Sequence, residues 1–252
     1  MHGLVTLTAN GKPRQAKIQS LVEAPTGIFA ADPDLWASYR VRLLFRARLI
    51  GGVPKDPQLI EGWLRNRAGI SDPRELRLAV LAAIAETAPD DADAQSASEN
   101  GAALSARITG FKAGPEGLYV EGRQVKAMLK ESTNIVFSGE RWGPTRKAAR
   151  SFFAERVFVD PDKLLLGVNR ADGIETFMGH LSGPAGPRST VNQYEYVERP
   201  MLEFRLRVLH DCVSADQWRS IWCHAQESGF GTLRSQGFGR FDVVAWERLS
   251  ST

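Results

Sequence analysis

Gly229-Phe230-Gly231-Thr232-Leu233-Arg234-Ser235-Gln236-Gly237-Phe238-Gly239-Arg240 runs straight into Phe241-Asp242-Val243-Val244-Ala245-Trp246. Four glycines stand in this loop beside two arginines, a serine and a glutamine. Glycine lets a backbone take up positive φ and come close to a ligand. The guanidinium forks of Arg234 and Arg240 suit phosphate oxygens. A loop that cradles the phosphate of a small nucleotide ordinarily opens a helix. This one opens a strand, which directs the reading towards a loop laid along a polymeric backbone.

Working outward, Met201–Leu209 alternates strictly, with Leu202, Phe204, Leu206 and Val208 against Glu203, Arg205 and Arg207. That period of two predicts a strand with one face in the core. Arg40–Ile50 alternates basic and apolar residues through much of its length and predicts a second strand, with a basic outer face, which Gly51-Gly52 breaks. Phe152–Val159 and Lys163–Val168 are strand-like. Ser214–Ser228 reads as a helix with Ser214 as its N-cap. Gln124–Asn134 reads as a helix with Val125, Met128 and Leu129 on one face. Asp56–Arg67 and Pro73–Thr87 read as two more helices. Pro89–Gly101 is acidic, without a basic residue, and reads as an exposed loop. Asn169–Arg199 is a long polar stretch turning on Gly183-Pro184-Ala185-Gly186-Pro187-Arg188.

This order predicts an α+β fold: a ferredoxin-like, RRM-like antiparallel sheet. One domain spans 1–252. It carries a helical and acidic insertion over 53–101 and a long hairpin insertion over 169–200.

With 252 residues and 43% hydrophobic content, the chain can bury a substantial core. The net charge of +3 is too mild to identify a polyanion binder by itself. Its distribution says more. Between Arg123 and Arg156 stand eight basic residues against Glu131, Glu140 and Glu155, so this segment carries about +5. Cys212 and Cys223 are the only cysteines. Two cysteines and a polar N-terminus without a signal peptide predict reduced thiols in a cytoplasmic protein. No apolar run approaches the roughly 20 residues of a membrane helix.

Three pieces, in this order, resemble the RAMP superfamily of CRISPR effector proteins. The first is the glycine-ended strand Arg48-Leu49-Ile50-Gly51-Gly52. The second is Leu118-Tyr119-Val120-Glu121-Gly122-Arg123-Gln124-Val125-Lys126-Ala127-Met128-Leu129-Lys130, similar to that family's strand end, tight turn and basic helix start. The third is the C-terminal glycine-rich loop. The sequence departs from the family at Glu121, where proline is usual, and at Ala127, where glycine is common. The helices over 56–87 are unusual after the glycine-ended strand. The resemblance is nearest to the backbone subunits that polymerise along guide RNA, and 169–200 falls where their thumb hairpin stands.

The resemblance implies sequence-independent binding of single-stranded RNA, or DNA, through its backbone. It further implies head-to-tail assembly with copies of the chain and with other effector subunits, and no cofactor. The predicted nucleic-acid-binding residues are Arg123, Lys126 and Lys130; Arg141, Trp142, Arg146, Lys147 and Arg150; and Arg234, Ser235, Gly237, Phe238 and Arg240. Charge beside an aromatic ring is how single strands are held without reading sequence. Each group also has a plain reading: a glycine-turned hairpin, a solvated helix face, a basic loop over a core tryptophan. Tyr194, Tyr196, Phe177 and Met178 either wedge bases or pin the hairpin.

Beside this reading, and beside that of a structural protein that self-assembles without nucleic acid, stand two alternatives. One is a phage or mobile-element protein that binds or anneals single-stranded DNA. The other is a ribonuclease of the same superfamily using Asp56, whose setting in Pro54-Lys55-Asp56-Pro57 equally fits a helix cap. His210-Asp211-Cys212 and Cys223-His224 do not have a standard zinc spacing, so no metal is expected.

Overall fold

The structure is a computed structural model that describes residues 6–7, 13–14, 35–55, 60–61, 64–65, 72–85, 107–183 and 186–249. The chain divides into two units, Met1–Leu49 with Val120–Leu166 and Glu198–Thr252, and Ile50–Tyr119 with Gly167–Val197.

The first unit is built on the two alternating segments. Its elements in chain order are β1 (Trp36–Phe45), α1 (Gly122–Val136), α2 (Ala149–Arg156), β2 (Val157–Asp160), β3 (Met201–Leu209), α3 (Ala215–Ser228) and β4 (Phe241–Leu249). The four strands form an antiparallel sheet in the order β2-β3-β1-β4. Val41 lies opposite Phe204 on one side and Trp246 on the other. Every second residue of β1 and β3 is buried, with Val41, Leu43, Phe45, Leu202, Leu206 and Val208 wholly so. That is the alternation a half-buried strand requires.

The helices cover that apolar face. α1 buries Val125, Met128 and Leu129, and α3 buries Trp218, Ile221, Trp222 and Ala225. The Trp246 ring stacks on Tyr39 at 4.6 Å and meets Trp218 at 5.0 Å and Trp222 at 6.0 Å. Contacts of this kind contribute about 0.5–1.5 kcal/mol each beyond burial. The Tyr39 hydroxyl donates to Asp211 at 2.6 Å. Burial first, and then that bond, push its phenol up to about 12.

Local signals fix the helix starts. The Gln217 N–H donates to Ser214 Oγ at 3.2 Å, and the Ser214 N–H donates to Gln217 Oε1 at 2.8 Å. This reciprocal cap bears out Ser214 as the N-cap. At α1 the Glu121 N–H donates to Gln124 Oε1 at 3.0 Å. A Cβ on Gly122 would sit 2.8 Å from the Pro161 carbonyl oxygen, so only glycine allows this close approach.

Two expectations change. Phe152–Arg156, expected as strand, belongs to the helix α2, and the strand begins only at Val157. Phe153 meets Trp218 at 5.6 Å and Phe152 meets Trp142 at 6.1 Å, so tertiary partners decide the helix. The strand expected over Arg40–Ile50 is also not continuous. β1 ends at Phe45, and a short strand resumes over Arg48–Ile50. The Phe45 N–H donates to the Pro200 carbonyl and the Arg46 N–H to the Arg240 carbonyl.

In the second unit the long polar stretch forms a two-stranded hairpin, Gly173–Gly183 with Gly186–Glu198, in register from Gly173 opposite Tyr196 to Gly183 opposite Gly186. Arg107–Gly110 adds in parallel, and Val53–Pro54 pairs with it. Lys55 Nζ and Glu195 Oε1 form a 2.6 Å ion pair. The helix Pro73–Ala85 has proline in its first turn and a 2.8 Å bond from the Arg74 N–H to Asp72 Oδ1. Leu76 clusters with Ile60 and Leu64. Asp56, most of the expected helix over 56–67 and the acidic stretch 89–101 lie outside the described residues. The mixed sheets and helices bear out the α+β class.

Candidate nucleic-acid interface

The glycine-rich loop has a base and a tip, and glycine serves each differently. At the base the Phe230 N–H donates to the Gly239 carbonyl at 2.9 Å, and the Gly239 N–H donates to the Arg48 carbonyl at 3.0 Å. A Cβ on Gly239 would lie 1.9 Å from the Phe230 oxygen, and one on Gly229 would lie 2.7 Å from the Phe238 oxygen. Both residues have positive φ, +72° and +77°. Phe230 is buried and meets Phe45 at 6.1 Å, which anchors the base in the core. At the tip Arg234–Gln236 forms one 3₁₀ turn between two left-handed residues, Leu233 and Gly237. Nothing stands within 4 Å of where a Gly237 Cβ would be. Left-handed geometry at Leu233 costs about 1 kcal/mol. The tip presents Arg234 and Ser235, while Phe238 is half-buried and Arg240 exposed.

α1 lies beside this loop. Glu131 pairs with Arg234 at 3.1 Å, next in sequence to Lys130. Arg123 is exposed and pairs with Glu121. Lys126 lies with Nζ 4.3 Å from the centroid of the Phe158 ring. Burial, then the neighbouring Lys130, hold its ammonium below the usual lysine range.

The third basic group follows α1. Arg141–Trp142 pairs with Lys147–Ala148 as a short hairpin. Trp142 is 7% exposed. Its ring meets Phe137 at 4.9 Å, and its indole N–H donates to Glu140 at 3.1 Å. The ring therefore secures the hairpin from within. Lys147 binds Glu155 at 2.7 Å, and that bond, ahead of the Arg156 contact, holds the Glu155 carboxyl below its usual range. Arg141, Arg146 and Arg150 are exposed. At 1.5 Å per residue, α1 sets this hairpin about 20 Å from Arg123. Lys126 and Lys130 thus stand one turn apart on α1, Arg234 reaches Glu131 on the same helix, and Arg141–Arg150 follows the end of α1.

Counter-charges sort these cations. Arg123, Lys147 and Arg234 have carboxylate partners. Lys126, Lys130, Arg141, Arg146, Arg150 and Arg240 have none among the described residues.

The sheet face opposite the helices behaves differently. Glu203, only 13% exposed, binds Arg42 at 2.6 Å and Arg40 at 3.1 Å. Arg207 pairs with Asp160. The arginines of Arg40–Ile50 are paired in turn: Glu247 also reaches Arg40 at 3.7 Å, Asp242 and Glu227 hold Arg46, and Glu198 holds Arg48. Sequence reasoning passed over Trp36 and Phe158, which meet edge to face at 5.4 Å. The only signal was an aromatic just before Arg40–Ile50 and another near the end of Phe152–Val159.

Phe177, Met178 and Tyr194 lie on the long hairpin, and His224 and Cys212 lie in the first unit. In the second unit Phe177 meets Tyr194 at 5.7 Å, and Met178, 78% exposed, stands opposite Val191. His224 lies 3.0 Å from Ser132 and 3.1 Å from Ser228. Burial pushes the Cys212 thiol up. Among the described residues no cluster of three His, Cys, Asp or Glu side chains could hold a metal ion, and no helix is long and apolar enough to cross a membrane.

No family model and no curated protein matches the sequence. Among solved structures, the chain is similar to one in the cryo-EM structure of the Type III-B Cmr-beta bound to cognate target RNA, at 12% identity and a TM-score of 0.40. The match covers 85% of this chain and 61% of that one, so this chain spans about three fifths of its solved neighbour.

Proposed function

We propose that this chain binds single-stranded nucleic acid, RNA in the first instance, through the sugar-phosphate backbone and without reading sequence. The observation that carries this is the set of six cations on α1, the 141–148 hairpin, the start of α2 and the glycine-rich loop that have no carboxylate partner among the described residues. Cations left without internal partners are the ones available to displace counterions from a phosphate chain. Arg234, Ser235, Gly237 and Phe238 form the loop that follows that backbone. Arg123 and Lys147 border the track, and Trp142 fixes the hairpin that supplies its distal part.

The order of the first unit, β-α-β-β-α-β once the short α2 after α1 is set aside, with strands in the order β2-β3-β1-β4, supports a ferredoxin-like reading of the 1–252 domain. In that reading 53–101 and 169–200 are insertions, the latter acting as a thumb. Head-to-tail copies along a guide RNA, within a CRISPR-type effector, are the assembly that the RAMP resemblance implies.

The test begins with the purified protein. Its 260/280 nm absorbance ratio and nuclease sensitivity report co-purifying RNA or DNA. Stripped protein, titrated with a 30-nucleotide RNA from 50 to 500 mM salt, should lose affinity with a log–log slope near −4, about −0.7 for each of six phosphates. A flat salt response, or no binding at 50 mM salt, overturns the reading.

A further inference from the structure

The edge of the sheet beside α1 holds four side chains in a row. Lys126 lies over Phe158, Phe158 meets Trp36 edge to face, and the Arg207 guanidinium lies 5.3 Å from the Trp36 centroid. Phe158 and Trp36 are each only partly buried. Arg207 is held by Asp160. Lys126 is held by no carboxylate among the described residues, and the like charge of Lys130 stands one helical turn along the same flank. The two ends of the row are thus unequal. One cation is neutralised, while the other rests on a ring with repulsion behind it.

A ring face is a modest partner for a half-buried ammonium. A nucleotide satisfies both groups better. Its phosphate takes the ammonium of Lys126, with Lys130 adding a second charge. Its base then occupies the face of Phe158 that the ammonium has left, and base–aromatic stacking is favourable for every base. We infer that Lys126, Lys130 and the Phe158–Trp36 ring pair form a single-nucleotide subsite, phosphate on the lysines and base on the rings. This rests on the single-strand reading above and adds to it one place where a base, and not only the backbone, is held. Arg207 positions Trp36 and does not touch the nucleotide.

The experiment uses the full chain and three labelled 15-mers: oligo(A) RNA, oligo(U) RNA and an abasic ribose-phosphate strand, followed by fluorescence anisotropy. The wild-type protein should bind both RNAs more tightly than the abasic strand, oligo(A) most, because purines stack best. Phe158→Leu keeps apolar bulk and removes the ring. It should weaken oligo(A) binding roughly tenfold and leave the abasic strand unchanged. Phe158→Tyr should retain wild-type affinity. Lys126→Gln should weaken all three strands and reduce the salt slope by about 0.7. Equal wild-type affinity for oligo(A) and the abasic strand overturns the subsite and leaves backbone binding standing. So does a Phe158→Leu variant that binds oligo(A) like wild type, or one that loses both strands equally with a lowered Tm. A wild-type protein that binds none of the strands overturns the single-strand reading itself.

Discussion

Arg40 and Arg42 face Glu203 across neighbouring strands, whereas Arg141, Arg146 and Arg150 face no carboxylate among the described residues. Both groups are arginine clusters of similar density in the sequence. The first sits on a sheet, where the register sets Glu203 opposite Arg42 and Glu247 opposite Arg40, and an opposite charge there is stabilising. The second sits on a hairpin and a short helix whose outward side chains meet solvent. Only the second contributes an uncompensated field. Counting basic residues therefore overstates the attraction for a polyanion, and the census of partners corrects it.

The largest effect that separates the two groups should come from replacing the unpaired one. Arg141→Gln, Arg146→Gln and Arg150→Gln together should lower affinity for single-stranded RNA about a hundredfold at 50 mM salt and flatten the salt slope by about 2, at nearly unchanged Tm. The matched Arg40→Gln/Arg42→Gln pair should leave RNA affinity within about twofold. Equal losses in anisotropy titrations of the two variants would erase the distinction. Next in size is Glu203→Gln, read by urea denaturation. It removes the charge that both half-buried guanidinium groups share and should cost about 1–3 kcal/mol of stability without weakening RNA binding. A stability loss near zero would mean that the sheet arginines are solvated rather than paired. The smallest effect concerns Arg234, which falls between the groups because its partner Glu131 is half-exposed. Exposed pairs contribute at most about 1 kcal/mol. Glu131→Gln should therefore tighten RNA binding by about two- to fivefold, and weaker binding would place Glu131 itself in the contact.

Much of the first unit was legible from short-range pattern. The alternation of Met201–Leu209 matches β3 residue for residue, and Ser214 with Gln217 forms the cap the sequence announces. Gly122 and Gly239 are explained by contacts that a Cβ would prevent. What was not legible depends on partners remote in the chain. Glu203 lies some 160 residues from the arginines it neutralises. Phe152 and Phe153 look like strand residues until Trp142 and Trp218 are set against them. Trp142 beside Arg141 reads as a stacking surface, yet its ring is spent on Phe137 and Phe152. The lysine–ring row at Phe158 required the register of β2 against β3 and the flank of α1 to be known together.

The strand order β2-β3-β1-β4 has a consequence for biosynthesis. β1 is an inner strand, yet both its neighbours come from the far end of the chain, with Phe45 opposite Phe241 and Leu44 opposite Met201. At 5–20 residues per second, a ribosome needs about 10–40 s to pass from β1 to β4. Through about the first four fifths of that interval, until β3 is made, Val41, Leu43 and Phe45 have no native strand to meet. A strand whose Val41, Leu43 and Phe45 are wholly buried is thus made well before either of its neighbours. Closing the sheet on β1 therefore waits until β4 has been made.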